Sequence, residues 1–133
     1  MIAEVAYLDT SAVVKLLVRE EESRALRAEL ERWPRRASSA LLRVELLRTV
    51  GRAGLPALVA VAHLQLSSIH LLRLDQEVLS RAAELEPWTL RSLDAIHLAS
   101  ALALGEELGT LLTYDRRMAA GSLAIGIDTR SPN

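Results

Sequence analysis

VAYLDTSAVVKLL, residues Val5 to Leu17, is the stretch that decides the fold. Val5 to Leu8 is an apolar run of strand length, and it stops at Asp9-Thr10-Ser11, side chains suited to cap the start of a helix. Ala12 to Val18 then continues with helical patterning. A buried strand running straight into a capped helix is the opening half of a β-α-β crossover, so a parallel sheet is predicted.

The same alternation repeats outward from it. Glu20 to Arg32 interleaves charges with Leu26 and Leu30 and stops at Trp33-Pro34, which predicts an exposed amphipathic helix. A short strand around Ala37 and Ser38 leads into a helix from Ala40 to Val50, closed by Gly51 and Gly54. Leu55 to about Leu66 reads as a further helix, Ile69 to Leu72 as a strand, and Asp75 as the cap of a helix to Leu85 that Pro87 ends. Ser92 is expected to cap a long helix, Leu93 to Leu104, ending near Gly105 and Gly109. Thr110 to Thr113 reads as a strand, Asp115 as the start of a short helix, and Leu123 to Ile127 as a last edge strand. Four to five mostly parallel strands separated by helices make a three-layer α/β/α arrangement of the α/β class, expected as one domain over residues 1–133. Asp9 and Asp115 then fall at the carboxyl ends of strands, where such sheets place their sites.

Composition narrows the function classes. With a formal net charge of −1 and a pI of about 6.3, no global positive field marks a nucleic-acid binder, so any affinity for RNA has to be local. Lys15 is the single lysine among 16 basic residues, a skew that suits bidentate phosphate contacts but is better explained by the coding bias of a GC-rich genome. The absence of cysteine excludes disulfides, thiolate metal sites and cysteine nucleophiles. Apolar residues make up 50% of the chain with a mean hydropathy of +0.19, which predicts a self-association face or a bound partner. Ala53 to Leu72 carries no charge but is interrupted by Pro56, His63, Gln65, Ser67, Ser68 and His70, so a buried helix and strand are expected there and no membrane span. Glu4 stands where a signal peptide carries positive charge, and a cytoplasmic location is the expectation.

The aspartates are few: Asp9, Asp75, Asp94, Asp115 and Asp128. Asp75 and Asp128 read as turn or cap residues, and taken singly Asp9, Asp94 and Asp115 each have an ordinary explanation as caps or helix-dipole partners. Glu45 is harder to explain, because Leu41, Leu42 and Thr49 are its helical neighbours; an ion pair with Arg48 and a metal-facing role stand as equal alternatives. Asp94, His97 and Ser100 fall on one side of an otherwise apolar helix, so that stripe should face a site or a polar seam. His97 reads as a hydrogen-bonded structural residue in preference to a general base. Ser11 lacks the partners of a serine nucleophile. Converging carboxylates without matching arginines repel, which implies raised pKa values or a bound cation; oxygen-only ligands favour Mg²⁺ or Mn²⁺, ions suited to phosphodiester hydrolysis.

Four blocks in order, YLDTSAVVKLL, SSALLRVELLRTV, LRSLDAIHLASAL and LLTYDRRMAAG, closely resemble the PIN-domain ribonucleases, specifically the VapC toxins of bacterial type II toxin-antitoxin systems. The resemblance spans nearly the whole chain. It implies a PIN-like fold and a Mg²⁺- or Mn²⁺-dependent endoribonuclease whose acidic residues fall on Asp9, Glu45, Asp94 and Asp115. Asp9 and Asp94 would be the main metal ligands, with Glu45 and Asp115 acting through water or on a second ion, and Ser11 and Thr113 orienting them. It also implies a homodimer silenced by a cognate VapB-like antitoxin, with DNA contacted only through that antitoxin. One departure is that Arg116 and Arg117 stand where some PIN proteins carry a further acidic residue, which puts a second metal in doubt. Those arginines, with Arg43, Arg48 and Arg91, are candidates for RNA phosphates, although solvated or paired roles explain each singly.

A catalytically weak PIN-like domain acting mainly in a repressor complex is the alternative, and the intact acidic set argues against it. A phosphoacceptor receiver domain would need an early acidic pair, a central aspartate and a late lysine, none of which is present. A haloacid-dehalogenase-type phosphatase would need a second aspartate two residues after Asp9, where Ser11 stands.

Overall fold

The computed structural model describes residues 3–133; Met1 and Ile2, the first two residues of the expected domain, lie outside it. Its elements run β1 (Val5–Leu8), α1 (Thr10–Leu17), α2 (Ser23–Leu30), β2 (Arg35–Ser39), α3 (Leu41–Arg52), α4 (Ala57–Ser67), β3 (His70–Leu72), α5 (Gln76–Glu84), α6 (Ser92–Leu102), β4 (Leu108–Leu112), α7 (Arg116–Ala124) and β5 (Thr129–Arg130), with a 3₁₀ turn at Gly105–Glu107 before β4. The five strands are all parallel in the order β3-β2-β1-β4-β5.

Alternation along the central strands separates two cores. Ala6, Leu8 and Leu112 pack with Val13 and Leu16 of α1, Leu26 and Leu30 of α2, Leu42, Leu46 and Val50 of α3, and Ala62 and Leu66 of α4. Tyr7 and Leu111 face the other way, onto Leu98 and Ala101 of α6, Met118 of α7 and Ile127. The crossovers from β1 to β2 to β3 thus cover one face and those reaching β4 and β5 cover the other, the predicted three layers. No helix is long and apolar enough to cross a membrane among the described residues, and the uncharged stretch from Ala53 is α4 followed by β3.

Local chemistry explains several boundaries. Asp75 takes an extended backbone and accepts from Val78 N at 2.9 Å, a cap that starts α5 where expected. Asp75→Ala should lower stability by about 1 kcal/mol in a denaturant melt. Three expectations are corrected. Ser92 does not cap α6; it is the first helical residue, and Arg91 occupies the cap position without a side-chain bond. Gly51 lies inside α3, and it is Gly54, at φ +66°, that turns the chain after it. The last strand is Thr129–Arg130 and not Leu123 to Ile127: α7 runs on to Ala124, and Gly126, at φ +84°, turns the chain so that Thr129 and Arg130 pair with Leu111 and Leu112.

The C-terminal strand is fastened to α2. Glu29, with only 12% of its side chain exposed, accepts from Trp33 Nε1 at 2.9 Å and Arg130 Nη1 at 2.8 Å. Burial alone would raise its pKa, but the Trp33 indole together with Arg130 and Arg32 outweighs that and holds the carboxyl below the usual glutamate range. A depressed carboxylate contributes stability that is fully present above its unfolded value, near ~4.3, and is lost as pH falls through the folded value. Glu29→Gln should therefore cost about 1.5 kcal/mol at pH 7. In acid melts the gap from wild type should begin to close near the ordinary glutamate pKa and vanish only below the depressed folded value.

Candidate active site

Strand order fixes where the site lies. From β1 the sheet extends to β2 and β3 on one side and to β4 and β5 on the other, so the carboxyl ends of β1 and β4 flank a topological switch point. Asp9 follows β1 directly, its backbone N–H donating to Leu112 O at 3.3 Å, and Thr113 follows β4.

Asp9 is 3% exposed. Its Oδ1 accepts from Ser11 Oγ at 2.6 Å and from Ala12 N at 3.0 Å, the latter capping α1, while Thr113 Oγ1 donates to Oδ2. Both hydroxyls are themselves aimed. Ser11 Oγ accepts from Tyr114 N at 2.9 Å and Thr113 Oγ1 from Asp115 N at 3.0 Å, which leaves their O–H bonds for the carboxylate. Among the described residues no basic side chain forms an ion pair with Asp9. Burial accordingly pushes its pKa up despite Ser11, Thr113, His97 and Ala12.

Glu45, on α3, does not pair with Arg48. Its Oε1 accepts from Thr10 Oγ1 at 2.6 Å and lies 2.7 Å from His97 Nε2, and His97 Nδ1 is 2.7 Å from the Tyr7 hydroxyl. Burial works against the Glu45 carboxylate, but His97 and Thr10 prevail and hold its pKa down. Asp94, in the first turn of α6, is half-buried, and its pKa is raised by burial and then by the charge of Asp115. Asp115 is exposed and caps α7, its Oδ1 accepting from Arg117 N at 2.9 Å and Met118 N at 3.1 Å.

Asp9 and Asp115 are thus both helix caps, as their ordinary reading holds, and both lie at the switch point. Asp94 caps nothing. The structure brings Asp9 together with Ser11 and Thr113, and Glu45 with Thr10 and His97, while the charge of Asp115 acts on Asp94. No three His, Asp or Glu side chains among the described residues form a ready group around one ion. The stripe Asp94, His97, Ser100 splits: Asp94 is half-buried and within reach of the charge of Asp115, whereas His97 and Ser100 are buried, and Ser100 Oγ is the one buried side-chain atom among the described residues without a hydrogen-bond partner. His97 is hydrogen-bonded as expected. Sequence reasoning passed over Thr10 and Tyr7; the signal for Tyr7 was its position two residues before Asp9 on a strand, which puts it on the face that meets α6.

The fit to a divalent cation rests on the donor set. A buried carboxylate with no basic partner and a second one raised by a like charge are both relieved by a hard cation, and every available donor is an oxygen except the ring of His97. Glu45 and Asp115 each have one oxygen anchored in the fold and the other without a hydrogen bond among the described residues.

Comparison with known proteins fits this layout. The PIN domain family model matches residues 6–122. Ribonuclease VapC46 of Mycobacterium tuberculosis is 47% identical over 127 residues, 96% of this chain and 97% of that protein. Ribonuclease VapC47 of the same species is 42% identical over 130 residues, 95% of this chain and 96% of its own length. Among solved structures, M. tuberculosis VapC20, described as a sarcin-ricin loop cleaving toxin, superposes with a TM-score of 0.74 at 17% identity over 96% of this chain and 99% of its own. VapBC2 from Rickettsia felis, bound to a DNA fragment from its promoter, gives 0.76 at 15% identity over 97% of this chain and 99% of the matched chain. At those identities the two structures speak for the fold, while the family model and the near-full-length relatives place the chain itself: it belongs to the PIN-domain family, among the VapC ribonucleases.

Proposed function

We propose that this chain is an endoribonuclease that hydrolyses RNA phosphodiester bonds with Mg²⁺ or Mn²⁺, and that it is the toxin of a type II toxin-antitoxin pair. The observation that carries the reading is Asp9: a carboxylate nearly sealed from solvent, oriented by two aimed hydroxyls, without a basic partner, at the sheet's switch point. VapC relatives that match it over nearly their whole length are named ribonucleases, which supports RNA as the substrate.

Asp9 and Asp94 would be the main holders of the ion, with Glu45 and Asp115 reaching it through water. When bound, the ion supplies activation of water, neutralisation of the attacked phosphate and stabilisation of the leaving oxygen. The chain's own part is orientation. Ser11 and Thr113 fix the Asp9 carboxylate, and capping of α7 fixes Asp115 Oδ1 while Oδ2 stays open. Arg43, Arg48, Arg91, Arg116 and Arg117 are all exposed and none is in an ion pair among the described residues, which leaves them for phosphates.

The expected apolar excess does reach the surface. Trp88 is 70% exposed and Leu93 47%, and on α4 Leu64 is 69% exposed. A second copy of the chain and a VapB-like antitoxin are the partners this reading supplies for such surfaces, with DNA met only through the antitoxin and the cytoplasm as the compartment. The test is incubation of the purified protein with total RNA, with Mn²⁺ or Mg²⁺ and with chelator. Discrete cleavage that needs the metal is expected, and RNA left intact under every metal condition would sink the reading.

A further inference from the structure

We propose that the buried Tyr7–His97 pair, with Thr10, is a positioning device for Glu45: it grips Oε1 from inside the protein and so turns Oε2 towards the site. The inference rests on the nuclease reading for what Glu45 does, but the device itself is a matter of geometry. Four elements meet in it. Tyr7 comes from β1, Thr10 from α1, His97 from α6 and Glu45 from α3, and the Glu45–His97 contact joins helices whose apolar residues pack in opposite cores.

The direction of the bonds follows from donor chemistry. An ionised carboxylate only accepts, so His97 Nε2, 2.7 Å from Glu45 Oε1, carries the hydrogen. His97 Nδ1 lies 2.7 Å from the Tyr7 hydroxyl, which can donate to a bare nitrogen or accept from a protonated one, so Tyr7 holds the ring in either form. Thr10 Oγ1 donates to the same Oε1 at 2.6 Å, so among the described residues one carboxylate oxygen takes two donors and the other takes none. Edge-on packing of the two rings, with centroids 5.8 Å apart, and the burial of Tyr7 at 0% and His97 at 3% exposure leave neither ring room to turn. With both nitrogens engaged and no opening to solvent, His97 has no route for passing a proton to substrate. It acts through Glu45.

The first test is independent of activity. In metal-free protein labelled with ¹⁵N-histidine, the His97 ring should carry a hydrogen on Nε2, and its resonances should move in both Glu45→Gln and Tyr7→Phe. An Nδ1–H tautomer, or a ring indifferent to Glu45→Gln, overturns the device whether or not the protein cuts RNA. The second test compares His97→Leu with His97→Gln, whose amide can still donate to Glu45. His97→Leu should weaken Mn²⁺ binding by calorimetry about tenfold and lower kcat about 10- to 100-fold with KM little changed, and His97→Gln should recover most of both. Equal defects in the two variants that track a fall in melting temperature would mean a purely structural histidine. A wild-type protein that cuts no RNA yet shows the hydrogen on His97 Nε2 and the Mn²⁺ difference would fail the nuclease reading and leave the positioning intact.

Discussion

Asp9→Asn should abolish metal-dependent RNA cleavage, by on the order of 100-fold or more in rate, while the metal-free protein melts at least as high as wild type. The loss is expected to exceed the ~10- to 100-fold typical of groups that only support a ligand, because Asp9 is proposed as a ligand itself. The stability claim follows from the site. Asn caps helices about as well as Asp, its carbonyl can take the bonds from Ser11 and Ala12, and its N–H₂ can face Thr113. What disappears is a negative charge at 3% exposure with no basic partner, a charge the apo fold holds at a cost. Cleavage of labelled RNA and thermal melts in chelator and in Mn²⁺ check both halves. The ion should raise the melting temperature of wild type and leave the variant unmoved, since only the protein that binds it is stabilised. Cleavage by the variant at the wild-type rate would remove Asp9 from the site.

The largest loss of stability from a small change is expected at Gly109. The register between β1 and β4 pairs Val5 with Leu108 and Ala6 with Thr110, so Gly109 is skipped as a bulge. A Cβ there would stand 2.0 Å from Trp33 Cζ3 and 2.6 Å from Cη2. The indole cannot withdraw freely, because its Nε1 donates to Glu29 and Arg130 lies over its ring, 5.7 Å from the centroid. Gly109→Ala should destabilise the fold by about 2–3 kcal/mol, the upper part of the range for overpacking. A fall of roughly 10 °C in melting temperature follows for a chain of this size. A melt within a degree or two of wild type would mean that the ring and strand yield more easily than this packing implies. Since β4 leads directly to Thr113, the variant should also lose activity at temperatures where it is still folded.

Much of the secondary structure was legible because the signals are local. Val5–Leu8 appears as read, Asp75 caps α5, and the uncharged stretch divides into α4 and β3 near the expected change of pattern. The misplaced last strand shows the limit. Leu123 to Ile127 is a short apolar run, and periodicity cannot separate such a run from a helix end. Pairing with Leu111 and Leu112 settles it in favour of Thr129 and Arg130, residues with no strand signal of their own. Glu45 illustrates the same limit at the site: its apolar helical neighbours marked it as unusual, and the partners that replaced Arg48 come from residues 35 and 52 positions away in the chain.

By itself the sequence determined the alternation of strands and helices, the capping aspartates and the family, because caps, periodicity and motifs are carried within a few residues. Only the tertiary structure decided what Asp9 is: a helix cap whose second oxygen is held by Thr113, 104 residues away, with no ion pair among the described residues. It likewise decided that His97 serves Glu45, through a contact across 52 residues that no spacing within one helix contains. The physical reason is the same for both. A carboxylate's charge state and orientation depend on burial and on donors from other elements, and those are fixed only when the crossovers bring β1, β4, α3 and α6 to one end of the sheet.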